Sequence, residues 1–177
     1  MKYKILSKKA LFIFSILVVI LIIYFVVRML NPLSQVNDNS KIIPISYHAN
    51  IINDTKLNSY YRHVLFTGLN SQLVVMSIPP GGEVGEEIHK YTEQTLFFLS
   101  GTGEGALNDK KFPIVPGDVV VVVPGTKHNF WNTGNDDLKI YTVYAPPNHI
   151  DGRIHKTKAD ADADKADEAV GETKPIK

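Results

Sequence analysis

Hydrophobic and polar positions divide the chain into three unlike parts. Residues 11–27 (LFIFSILVVILIIYFVV) are apolar on every face and carry no charge. With its neighbours this run spans 10–30, long enough for a membrane-crossing helix, and residues 1–9 before it are basic. From 41 to 147 the pattern changes to short apolar or alternating runs separated by Gly, Pro, Asn and Asp, with no sustained 3.6 period. This predicts an all-β domain with strands at 42–48, 62–67, 72–78, 94–99, 105–107, 118–123, 128–132 and 138–144. Eight strands suit one jelly roll. The run Val119 to Val123 lacks alternation and is expected to be buried on both faces, in the core or under a subunit partner.

Between the apolar run and the barrel, residues 31–40 (NPLSQVNDNS) read as a linker. The domain itself is assigned to 41–150. Residues 151–177 are rich in Ala, Asp and Lys and poor in large apolar side chains, so a disordered charged tail is expected. Lys2, Lys4, Lys8 and Lys9 precede the apolar run and Arg28 alone follows it. That asymmetry predicts a single-pass membrane protein with a cytoplasmic N-terminus and the barrel on the non-cytoplasmic side. The following RMLNPLSQ offers no cleavage site for a signal peptide.

Composition removes several classes of function. A net charge of +1 in 177 residues gives no field for nucleic acid, and no cysteine means no disulfide, thiolate metal site or thiol nucleophile. The GTGEG at 101–105 follows a strand but precedes no helix, which argues against a dinucleotide site. Asn53-Asp54-Thr55 matches a glycosylation acceptor by pattern alone. Phe98, Phe130, Tyr141 and Trp131 are expected in the core or an interface.

The chemistry lies in GGEVGEEIHKYTEQTLFFLSG (81–101) and GDVVVVVPGTKHNFWN (117–132). Glu87 and His89, two apart, share one face of an extended strand. Gln94 opens the next strand and His128 a later one, and a barrel mouth can gather all four. Two imidazoles and one carboxylate form the donor set of a facial triad with open metal positions, and Gln94 adds a weak neutral oxygen. Without thiolate, this set suits Fe(II), Mn(II), Ni(II) or Zn(II). Glu93 is the fallback carboxylate and Glu86 its exposed neighbour. His48, His63, His149 and His155 have no partner at ligand spacing.

These two segments resemble the paired motifs of the cupin superfamily. The first is met by Gly81, Glu87, His89, Gln94 and Gly101, the second by Gly117, Val123, Gly125, His128 and Asn132. Glu87 stands where cupins carry the first histidine of the motif, Gln94 where they carry the glutamate, and Val123 where they carry the proline. Metal-dependent cupins generally supply three histidines and a glutamate, so here the carboxylate has moved and a two-imidazole set survives. VLFTG, VVPGTKHNFWNTG, LKIYTVYAPP and the HKTKADADA tail are similar to small single-domain bacterial cupins. The resemblance implies a jelly-roll barrel, pairing of barrels into a homodimer and a small-molecule ligand. As an enzyme it would be a metal-dependent dioxygenase, isomerase or lyase; the alternative is a non-catalytic binding or structural module.

Overall fold

The computed structural model describes residues 8–30 and 46–172, the side chains of the first stretch being described from 14 to 26. Contacts divide the chain into two units, Met1–Pro44 and Ile45–Lys177. The linker at 31–40, most of the basic N-terminus and residues 42–45 of the first expected strand lie outside the described residues.

The first unit contains one helix, α1 (Lys8–Leu30), whose described apolar side chains are exposed. Among the described residues, no helix is long and apolar enough to cross a membrane. The expected single-pass membrane placement is therefore overturned.

The second unit is the expected jelly roll, and its described residues form ten antiparallel strands where eight were expected. One sheet runs β10-β1-β2-β9-β4-β7 and the other β3-β8-β5-β6. The strands of the first are β1 (Arg62–Thr67), β2 (Gln72–Ile78), β4 (Glu93–Ser100), β7 (Val119–Val122), β9 (Leu138–Ala145) and β10 (Ile154–His155). Those of the second are β3 (Glu87–Ile88), β5 (Gly103–Leu107), β6 (Lys110–Ile114) and β8 (Lys127–Asn132). Residues 46–48 form no strand. A short helix follows them, α2 (Ile51–Leu57), capped by Asn50. Thr55 is buried there, its hydroxyl donating to the Ile51 carbonyl at 2.7 Å, while Asn53 is exposed.

Three strands escaped the sequence pattern for identifiable reasons. β3 and β10 have two residues each, too short to show a period. β6 reads KKFPI, polar and proline-bearing, which suits the edge position it occupies. Its hairpin with β5 turns at Asn108 and Asp109, both with positive φ (46° and 69°), as a tight two-residue turn requires.

Period-two alternation sends one face of each strand inward. Val74, Met76 and Ile78 of β2 oppose Thr142, Ile140 and Leu138 of β9, and Leu96 and Phe98 continue the row on β4. Phe130 and Ile114 close the core from the other sheet, with Phe98 and Phe130 rings 5.3 Å apart. Each such side chain contributes about 1.5–3 kcal/mol by leaving water. Gly101 ends β4 at φ 83°, and a Cβ there would lie 2.6 Å from the Asp137 carbonyl oxygen, so only glycine fits this turn.

Of the two ways in which the valine run was expected to be buried on both faces, burial within the core is not what this chain shows. Val120 and Val122 point into the core, whereas Val119, Val121 and Val123 are each about half exposed (54%, 50% and 53%). β7 is an edge strand, and among the described residues its outer face is left half exposed. Beside it, Phe97 stacks on Tyr141 at 4.7 Å.

The charged tail is also corrected. Residues 154–171 form β10, α3 (Lys158–Ala163) and α4 (Lys165–Gly171). Thr157 and Asp160 make a capping box for α3, and Asp164 caps α4. Composition misled here because the segment docks mostly through polar groups. Asp164 receives Arg153 and His155 at 3.0 and 3.1 Å, and Asp167 is 2% exposed among partners from the barrel. Among the tail's described side chains, Ala161 packs on the hydrophobic core.

Candidate metal centre

The pairing of β3 with β8 places Glu87 directly opposite His128, so their side chains leave the sheet on one face. His89 follows β3 and is held by its carbonyl, which accepts the Gly125 N–H at 2.9 Å. Gln94 comes from the other sheet, between Tyr144 and Val122. The site therefore bridges the two sheets, which is why residues so far apart in sequence meet.

One donor atom from each of Glu87, His89 and His128 lies within 4.8 Å of the others. Glu87 Oε2 is 3.4 Å from His89 Nε2 and 3.8 Å from His128 Nε2. Donors around one ion at about 2.1 Å stand roughly 3.0–3.4 Å apart, so small side-chain movements close this set on a metal. His128 Nδ1 donates to the Thr126 carbonyl at 2.9 Å, because that oxygen can only accept. Its Nε2 faces the Glu87 carboxylate, and both atoms are buried without a hydrogen-bond partner. Buried polar atoms left unpaired cost energy, which a cation between them would relieve. The residues present fit a divalent metal on this count as well as by donor type.

Gln94 is wholly buried, its Oε1 3.1 Å from His89 Nε2 and its Nε2 donating to the Tyr144 hydroxyl at 2.9 Å. Its oxygen thus faces the triad with its amide orientation set from behind. Glu93 is exposed at the start of β4, and Glu86 is exposed beside Lys127 at 3.9 Å, so neither joins the site.

Burial alone would push the Glu87 carboxyl up, but the Arg62 guanidinium, with His89 and His128, outweighs it and holds the carboxyl below its usual range. Arg62 Nη2 donates to Glu87 Oε1 at 3.2 Å, which leaves Oε2 free for the triad. Burial lowers His89 despite the opposing pull of Glu87, favouring the neutral, metal-competent imidazole. Burial also raises the Tyr144 hydroxyl above its usual range, keeping it protonated.

Four residues of this neighbourhood were not assigned to it from sequence. Arg62 is a lone arginine in an apolar strand, a visible signal of a buried charge partner. His149 follows a Pro-Pro pair, with no ligand-spaced neighbour to mark it. Tyr144 reads as an ordinary core aromatic, and Asp167 sits in an Ala/Asp/Lys repeat that conceals it.

The model for the cupin domain matches residues 74–144. The uncharacterised protein YrkC of Bacillus subtilis is 42% identical over 124 residues, 67% of either chain. The chain belongs to the cupin family. Protein L612 of Acanthamoeba polyphaga mimivirus is also similar to this cupin, 37% identical over 61% of this chain and 70% of its own. The crystal structure of BH2720 from Bacillus halodurans superposes with a TM-score of 0.66 at 36% identity, over 69% of this cupin and 97% of that chain.

Proposed function

We propose that this cupin binds one divalent metal ion through Glu87, His89 and His128, with Gln94 as a neutral fourth ligand, and uses it to hold and act on a small molecule. The observation that carries the reading is the buried pair of unpartnered polar atoms, Glu87 Oε2 and His128 Nε2, 3.8 Å apart. Two imidazoles and a carboxylate leave metal positions open, and a bound ion would there act as a Lewis acid toward an oxygen-bearing ligand. The chain's own residues supply the rest: Arg62 orients Glu87, Thr126 fixes the His128 tautomer, and Tyr144 orients Gln94. Fe(II), Mn(II), Ni(II) and Zn(II) all suit this donor set, and dioxygenase, isomerase and lyase chemistry are the reaction classes in view. Metal content after loading with each ion separately tests the proposal. About one ion per chain is expected in the parent and none in His89→Ala or His128→Ala; a parent without stoichiometric metal overturns it.

We further propose a homodimer formed through the outer face of β7. The half-exposed Val119, Val121 and Val123 and the neighbouring Phe97–Tyr141 stack support this, as an apolar strip on an edge strand gains by being covered.

A further inference from the structure

The C-terminal segment forms one wall of the cavity beside the triad. This open cavity, about 850 Å³, is lined by Arg62, Glu87 and His89 from the barrel, by His149 from the loop after β9, and by Asp167 from α4. Asp167 Oδ1 accepts the Ile150 N–H at 2.7 Å, and its Oδ2 lies 2.8 Å from His149 Nδ1 and 3.8 Å from Arg62 Nη1. Burial works against ionising this carboxyl, but its hydrogen bond to His149, the Ile150 N–H and Arg62 prevail and hold it below its usual range. An ionised carboxylate has no proton to give, so the hydrogen of the 2.8 Å contact sits on His149 Nδ1. His149 Nε2 is then a bare lone pair, and it is buried with no partner. The ring stands edge-on to Tyr144 at 4.9 Å, and the Tyr144 hydroxyl in turn holds Gln94.

We propose that Asp167 is a positioning residue of the site: it fixes His149 as the Nδ1–H tautomer, so that Nε2 is the proton acceptor of the cavity, and it backs Arg62 against Glu87. The segment after the barrel is thereby part of the functional site. The role of His149 stands without any metal, whereas the influence on Glu87 rests on the metal reading above.

Long-range proton–nitrogen spectra of the histidine rings in the full-length, nitrogen-15-labelled chain at neutral pH test the assignment. The parent should show His149 protonated on Nδ1 and bare on Nε2. In Asp167→Asn the side-chain carbonyl can keep the Ile150 N–H while the amide N–H turns toward Nδ1, so His149 should switch to the Nε2–H form; Asp167→Glu should retain the parent form. A Zn(II) titration of the same proteins should show about tenfold or greater weakening in Asp167→Asn. A parent His149 protonated on Nε2 overturns the proposal, and so does an unchanged tautomer in Asp167→Asn with Ile150 still protected from exchange. If that variant undocks α4, the parent tautomer decides by itself. A parent that takes no Zn(II) defeats the metal reading while the ring spectra still decide the role of His149.

Discussion

Glu87 and His128 face each other as cross-strand partners on β3 and β8, and their inner atoms, Oε2 and Nε2, are both buried and unpartnered at 3.8 Å. The register of a two-residue strand thus decides which polar atoms confront each other at the barrel mouth. Arg62 and Thr126 engage the opposite ends of the same two side chains, so neither can turn away without losing a hydrogen bond.

A bound ion relieves that confrontation only in the folded state, so metal should raise the melting temperature. At a free ion concentration of a hundred times Kd the gain is about 2.7 kcal/mol, or roughly 10 °C for a domain of this size. Differential scanning calorimetry with and without Mn(II) or Zn(II) measures it, and His128→Ala should show no shift.

Glu87→Gln removes the only charged ligand and leaves Arg62 without its closest anion. Metal affinity should fall by at least a hundredfold in titration calorimetry. The metal-free variant should also lose about 1–2 kcal/mol in denaturant unfolding, modest because the Glu87 side chain is a quarter exposed.

Stability should decline as the solution is acidified. Burial, aided by Arg62, holds His149 below its ordinary value of 6.5 although Asp167 pulls it up and Glu87 adds to that pull. The unfolded chain therefore takes up this proton first, and stability present at pH 7.5 is lost as pH falls below about 6.5. Asp167, held below its ordinary 3.8, adds a second loss in more acidic solution. Denaturant midpoints from pH 7.5 to 5.0 should fall in the parent, and His149→Gln should flatten that interval; equal slopes would refute the assignment.

Phe98→Ala empties the centre of the core against Phe130 and should cost about 3–5 kcal/mol, read from chemical denaturation. Its metal-binding donors are untouched, so any metal affinity measured below the unfolding transition should be nearly that of the parent.

Val121→Asp places a charge in the middle of the exposed valine row. Light scattering should find the parent as a dimer and this variant as a monomer with a nearly unchanged melting temperature. A parent that is monomeric at all concentrations would refute pairing through β7.

Much of the barrel was legible because alternation has a strict period: the runs at 62–67, 72–78 and 138–144 match β1, β2 and most of β9. The spacing of Glu87 and His89, with His128 after a glycine turn, likewise sufficed to pick the triad that the fold brings within 4.8 Å. Val119 to Val123 shows the limit, since five valines give no alternation to read and only the edge position of β7 exposes every second one.

The sequence by itself determined an all-β domain, because side-chain direction in a strand follows from residue count, and its resemblance to the cupin motifs picked out Glu87, His89 and His128, which the fold brings together. Only the tertiary structure decided which charges stand behind those donors. Arg62, His149 and Asp167 come from β1, the loop after β9 and α4, and their meeting depends on how separate elements dock. The tail was misread for the same reason: it is held by a few buried polar contacts whose partners lie far away in sequence, and no local pattern records them.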